Sequence, residues 1–153
     1  MLGPENLRSF IQSRNIEAKF IHLKESEAAT SQSAATALGC PISQIAKNIV
    51  LIGSRPYLLI ISGDKKVDIR KFSEVLGERV RLAGPEEVLE TTGYKVGGVP
   101  PFGHLKPLKT YIDVSVARYD VVYTSGGSDN TLLKIAVKDL LKHSGSATVD
   151  VGK

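Results

Sequence analysis

The stretch Asn48-Ile49-Val50-Leu51-Ile52-Gly53-Ser54-Arg55-Pro56-Tyr57-Leu58-Leu59-Ile60-Ile61-Ser62 sets the fold class of this chain. Asn48 to Gly53 and Pro56 to Ser62 are apolar runs of strand length, and Gly53-Ser54-Arg55-Pro56 between them reads as the turn of a β-hairpin. Neither run alternates apolar with polar residues, so both faces of the hairpin must be covered by other layers of the molecule. Those layers have to come from the flanking sequence.

On the N-terminal side, Pro4 stands where a first helical turn tolerates it, and Leu7, Phe10, Ile11 and Ile16 follow the three-and-four spacing of one buried helical face. Ala18 to Leu23 reads as a strand. Thr30 or Ser31 caps an Ala-rich helix that runs to Leu38 and stops at Gly39, with Pro41 enforcing the break. On the C-terminal side, Asp68 caps a helix from Ile69 to Leu76 that Gly77 ends, Arg79 to Leu82 is a short strand, and Gly84-Pro85-Glu86-Glu87 opens a helix ending near Gly93. Gly97 to Pro107 holds three Gly and three Pro, which exclude both helix and central strand, so it must be a shaped loop. Strands follow at Thr110 to Val114, Val121 to Thr124 and Leu132 to Val137, with Gly126-Gly127 in the turn between the last two. A helix around Asp139 to His143 and a strand at Ala147 to Val151 complete the chain. Hairpins interspersed with helices, without repeat or long linker, describe one mixed-sheet α/β or α+β domain over residues 1–153.

Composition narrows the chemistry. With 153 residues, 42% hydrophobic and 24% charged, the chain can bury a core without disulfides or metal, and it is neither disordered nor collagen-like. The lone Cys40 can form no internal disulfide, fits a reducing compartment and excludes a cysteine metal cage. No apolar run approaches a membrane span, and Met1-Leu2-Gly3-Pro4-Glu5 has no signal-peptide character, so a cytoplasmic protein is expected. The net charge of +4 is a weak pointer to an anionic partner. His22, His104 and His143 are scattered and offer no zinc signature, although His104 could serve as a general base. No Gly-x-Ser-x-Gly elbow is present, which disfavours a serine hydrolase.

What stands out is bare backbone. Gly97-Gly98-Val99-Pro100-Pro101-Phe102-Gly103 and Ser125-Gly126-Gly127-Ser128-Asp129-Asn130 match neither a P-loop nor a dinucleotide-binding turn. The first lets main-chain groups approach a ligand while its prolines hold them preorganised; the second, read alone, is a hairpin turn. Lys47, at the mouth of the apolar strand, either snorkels to solvent or points its ammonium into a cleft.

Thr92-Gly93-Tyr94-Lys95-Val96-Gly97-Gly98-Val99-Pro100-Pro101-Phe102-Gly103, then Ile112-Asp113 and Ser125-Gly126-Gly127, with Lys47 at the head of its strand, resemble the YbaK/ProX superfamily. These are free-standing relatives of the editing domain inserted in bacterial prolyl-tRNA synthetase. The resemblance implies a mixed sheet or partly closed barrel surrounded by helices, and hydrolysis in trans of the ester of a mischarged tRNA, with alanine or cysteine on the proline tRNA as the expected substrate. It assigns catalysis to Lys47, Gly97, Gly98 and Pro101, and substrate contacts to Val99, Gly103, Ser125, Gly126, Gly127 and Asp129. It implies no cofactor and no metal. The expected partners are the acceptor end of tRNA and an aminoacyl-tRNA synthetase, with no membrane, and the protein a monomer or homodimer. Ser128-Asp129-Asn130 replaces the basic residue that many members carry after the glycine pair, and a tyrosine they carry near Ile21 to Leu23 is missing. The competing expectation is a binding module that keeps the pocket without cleaving the ester.

Overall fold

In the computed structural model, which describes residues 1–153, β2 (Ala46–Ile52) and β3 (Pro56–Ser62) pair antiparallel, with Ala46 opposite Ser62 and Ile52 opposite Pro56. The turn between them is fastened from outside. Glu78 accepts hydrogen bonds from the Ser54 N–H, from the Ser54 hydroxyl at 2.7 Å and from the Tyr57 hydroxyl at 2.7 Å.

Every residue of β3 after Pro56 is buried, because both faces of the hairpin meet a core. β3 pairs in parallel with β5 (Lys109–Asp113), β5 pairs in parallel with β8 (Ala147–Val149), and β2 carries the two-residue β4 (Arg81–Leu82) on its other edge, giving the order β4-β2-β3-β5-β8. One face of this sheet presents Ala46, Val50, Leu58, Ile60 and Ile112. Those side chains pack with Leu7 and Ile11 of α1 (Pro4–Ser13), Val88 of α5 (Pro85–Thr92), Leu140 of α6 (Val137–Ser144), and a second sheet of order β1-β7-β6. That second sheet is antiparallel and comprises β1 (Ala18–His22), β6 (Val121–Ser128) and β7 (Thr131–Ala136). The opposite face, with Leu51, Tyr57, Leu59 and Ile61, is closed by Phe72 of α4 (Ile69–Leu76) and by Val149 and Val151. Strand alternation thus divides one apolar hairpin between two cores.

The capping signals operate as read. Thr30 accepts from the Ser33 N–H at the start of α3 (Ser31–Leu38), Asp68 accepts from the Lys71 N–H at the start of α4, and Gly39, Gly77 and Gly93 end their helices in the left-handed conformation.

Three features differ from the sequence reading. A four-residue helix α2 (Glu25–Ala28) and short 3-10 turns at Ile42–Gln44 and Val114–Arg118 add helical structure that periodicity over so few residues cannot signal. Gly126 and Gly127 lie inside β6, at a break in its register between Ser125 and Ser128, and the turn to β7 is made by Asp129-Asn130. The reason is steric: a Cβ on Gly126 would lie 3.0 Å from the Leu132 backbone, and one on Gly127 would lie 2.9 Å from the backbone nitrogen of Pro4. Finally, the two sheets do not close into a barrel. They meet at a single parallel bridge, Ile45 to Tyr123, which brings the head of β2 beside β6.

Candidate functional site

Beside that bridge, β2, β6, the Gly97 loop and the α2–α3 corner enclose a cleft of about 260 Å³. Lys47, Gly97, Val99, Ser125 and Asp129 line it, together with Asn48, Thr124, Ser128, Leu132 and a wall of small residues from Ala28 to Ser31 and at Ala34.

Lys47 shares the strand face of Ile49 and Leu51, but its stem carries the ammonium to the Lys65 carbonyl, to which it donates a hydrogen bond. Partial burial, reinforced by Lys66, pulls its pKa below that of an ordinary lysine, while Asp64 acts in the opposite sense. Asp64 is itself held by Arg118, with Nη2 to Oδ1 at 2.8 Å. The chain's ion pairs join Arg70 to Glu74, Arg81 to Glu87 and Arg118 to Asp64, so Lys47 is a half-buried cation without a carboxylate partner. Such a group attracts an external anion.

The Gly97 loop is held by its carbonyls. Ser125 Oγ donates to Gly97 O at 3.3 Å, Asn48 Nδ2 to Val99 O at 2.9 Å, and the Tyr94 hydroxyl to Gly103 O at 3.4 Å. His104 Nε2 meets Pro100 O at 2.7 Å, and since a carbonyl can only accept, Nε2 carries the proton. Gly97 takes a φ of +88°, open to glycine. Gly98 lies so close to β6 that a Cβ there would stand 3.0 Å from the Ser128 Cα. The backbone N–H groups of Gly97 and Val99 donate to no protein acceptor, whereas that of Gly98 closes a turn onto Lys95 O at 2.9 Å.

The residues expected to form the site therefore divide by position. Lys47, Gly97, Val99, Ser125 and Asp129 face the cleft, while Gly98 and Gly126 are close-packing points behind it. Gly127 borders an adjoining hollow with Pro4, Lys95 and Asp129. Pro101 and Gly103 line a third hollow on the far side of the loop, with Phe10, His104 and Lys106. His104 is thus turned away from the cleft, and burial lowers its pKa, which keeps the imidazole neutral as a pin on Pro100. Cys40 lies outside the cleft, its thiol pushed up in pKa by burial. Asp113 is committed to the C-terminal segment, accepting from the N–H groups of Val151 at 2.8 Å and Gly152 at 3.1 Å. No group of three or more His, Cys, Asp or Glu side chains is arranged to hold a metal ion.

Asn48 and Thr124 were not among the expected residues. Asn48 had a signal: strand alternation aligns it with Ala46 and Val50 on the core face, so it is a polar interruption of an apolar row. The Ala28–Ser31 wall had none, since only tertiary folding brings α2 to β2.

Comparison with known proteins shows the family. Residues 25–143 match the family model described as "Aminoacyl-tRNA editing domain". The chain is 36% identical over 132 residues to the Bacillus subtilis protein "Uncharacterized protein YwhH", covering 84% of each. It is 28% identical to the Enterococcus faecalis protein named "Putative Cys-tRNA(Pro)/Cys-tRNA(Cys) deacylase EbsC", again over 84% of each. A segment covering 58% of this chain is 35% identical to 17% of a proline–tRNA ligase from Delftia acidovorans. Among solved structures, "Crystal structure of a putative trans-editing enzyme for prolyl tRNA synthetase" superposes with a TM-score of 0.93 at 34% identity, covering 98% of this chain and 96% of that one. The fold is that of an editing-domain protein. This chain belongs to the aminoacyl-tRNA editing domain family.

Proposed function

We propose that the protein is a trans-editing aminoacyl-tRNA deacylase that removes a small amino acid, alanine or cysteine, from mischarged proline tRNA. The observation that carries this reading is the convergence of an unpaired half-buried cation, Lys47, and a pinned backbone loop, Gly97 to Pro101, on one small cleft.

An aminoacyl ester is already activated, so hydrolysis needs positioning and charge stabilisation rather than a covalent nucleophile. Water adds to the ester carbonyl, the bond to the terminal ribose oxygen breaks, and that oxygen takes a proton. The products are the free amino acid and a tRNA with its terminal hydroxyl restored. Lys47, beside Lys66, holds the terminal phosphate or ribose. The free N–H groups of Gly97 and Val99 are the candidates to meet the developing oxyanion. Asp129, which enters none of the chain's ion pairs, offers a carboxylate to the substrate's α-ammonium. The Ala28, Ala29 and Ala34 wall limits side-chain size, although one methylene is worth only about 1–3 kcal/mol, so selection works as a sieve. The setting is cytoplasmic translation, with tRNA as partner and a synthetase as supplier of the mischarged substrate.

The test is a panel of mischarged tRNAs incubated with protein in excess, following free amino acid. Release from alanyl- or cysteinyl-tRNA(Pro) above the spontaneous rate is expected. Salt-dependent tRNA binding with no release from any member would replace the enzyme by a binding module.

A further inference from the structure

We infer that Asn48 is a positioning residue that sets the Gly97–Pro101 loop for catalysis, acting through the Val99 carbonyl. This deepens the deacylase reading and rests on it for its kinetic consequence.

The side-chain amide of Asn48 joins three elements. It projects from β2, and Nδ2 donates both to Val99 O of the loop at 2.9 Å and to Thr124 Oγ1 of β6 at 2.7 Å. The orientation of the amide is unambiguous, because a carbonyl can only accept and the group facing Val99 O must be the NH₂. That orientation leaves Asn48 Oδ1 buried with no hydrogen-bond partner, the one such side-chain atom in the chain. A fold optimised for stability alone would place an apolar residue here, in line with Ala46 and Val50. Retaining an amide with an orphaned oxygen points to a duty that its donors perform.

That duty follows from the loop's covalent chemistry. Val99 precedes Pro100, so the peptide that carries the Val99 carbonyl has no N–H to donate and can be tied only through that carbonyl, which accepts from no main-chain N–H. Asn48 supplies the missing tie. With Val99 O drawn to β2 and Gly97 O drawn to Ser125, the span bearing the free Val99 N–H is held at both ends. Asn48 also neighbours Lys47 on the same strand, so β2 places the anion-holding cation and the loop anchor in one rigid frame.

The experiment compares wild type with Asn48→Ala, which removes the tie, and Asn48→Asp, which keeps the shape but sets an acceptor against the Val99 carbonyl. Glu78→Gln, at the hairpin turn and outside the cleft, serves as a control that leaves the loop and its ties untouched. On mischarged tRNA, both Asn48 variants are expected to lose about 10²-fold in kcat with KM changed by less than about threefold, because a small misplacement of the catalytic backbone is costly while Lys47 still binds. Glu78→Gln should stay near wild type. Backbone amide hydrogen exchange supplies the second readout: Gly98, whose N–H closes the turn onto Lys95 O, should exchange faster in Asn48→Ala while the amides of β3 stay protected. Unchanged kcat with unchanged loop exchange overturns the proposal, as does a rise in KM alone, which would make Asn48 a substrate contact. Loss of β3 protection would reduce it to a residue of general stability. If wild type releases no amino acid from any tRNA, the deacylase reading fails separately, and the exchange data still decide whether Asn48 holds the loop.

Discussion

Lys47 is the cation of the proposed site, and its charge state is open to titration. Burial lowers its pKa, so the ammonium is lost as pH rises earlier than for an ordinary lysine of pKa 10.5. Affinity for a tRNA acceptor end should therefore decline on the alkaline side ahead of that value. Lys47→Arg, which cannot deprotonate in this range, should abolish the decline, and Lys47→Ala should lose binding at every pH with the melting temperature intact. Titrating affinity against pH for the three proteins checks all of this. Two neighbouring glycines make different predictions. Gly97→Ala meets nothing closer than Asp129 Cβ at 3.9 Å, yet its φ of +88° makes a side chain costly by about 1–2 kcal/mol. Gly98→Ala instead presses on the Ser128 backbone and should shift the loop away from β6, lowering turnover more than Gly97→Ala for similar thermal stability. Of these residues, the glycines and Lys47 were visible in the sequence as motifs. Asn48 was visible only as a polar break in an apolar row.

The hairpin shows at the level of elements why local pattern predicted so much. Its two apolar runs, and the caps Thr30, Asp68, Gly39, Gly77 and Gly93, are local rules whose outcome depends on residues a few positions apart. The Gly126-Gly127 pair obeyed a longer-range rule. Their reading as a turn was reasonable from sequence, but the approach of Pro4 and Leu132 requires bare backbone inside β6 instead. The hairpin turn itself depends on a distant residue, Glu78, whose pKa is lowered first by the Ser54 hydroxyl and then by the Tyr57 hydroxyl and the Ser54 N–H. A carboxylate with a lowered folded pKa contributes stability that is present above its ordinary value and lost as pH falls through the lowered one. Wild type should therefore melt above Glu78→Gln at pH 7, and the gap should narrow as acid protonates Glu78. Thermal melts of both proteins from pH 7 to pH 3 measure it.

Over the whole molecule, the outer core and the candidate cleft are spatially divided. The outer cluster around Phe72 has no residue in the cleft, whereas the main core runs up to it through Ala46 and Val99. Phe72→Ala should cost about 3–5 kcal/mol of unfolding free energy and leave turnover per folded molecule unchanged at low temperature. Denaturant unfolding paired with deacylation at 10 °C would check this; a parallel loss of turnover would contradict the division. What the sequence alone determined was everything governed by short range: a buried hairpin, capped helices, a Gly/Pro loop that could be neither helix nor strand, and a family likeness carried by Lys47 and the glycines. Tertiary structure alone decided that the two sheets meet at one bridge and do not close. It also decided that Pro101, Gly103 and His104 face away from the cleft, and that Ala28 to Ser31 and Asn48 complete it. The physical reason is that periodicity and capping record the burial and hydrogen bonding of neighbours along the chain. Which distant backbone must approach a glycine, or which carbonyl an amide must hold, is settled only when the layers pack.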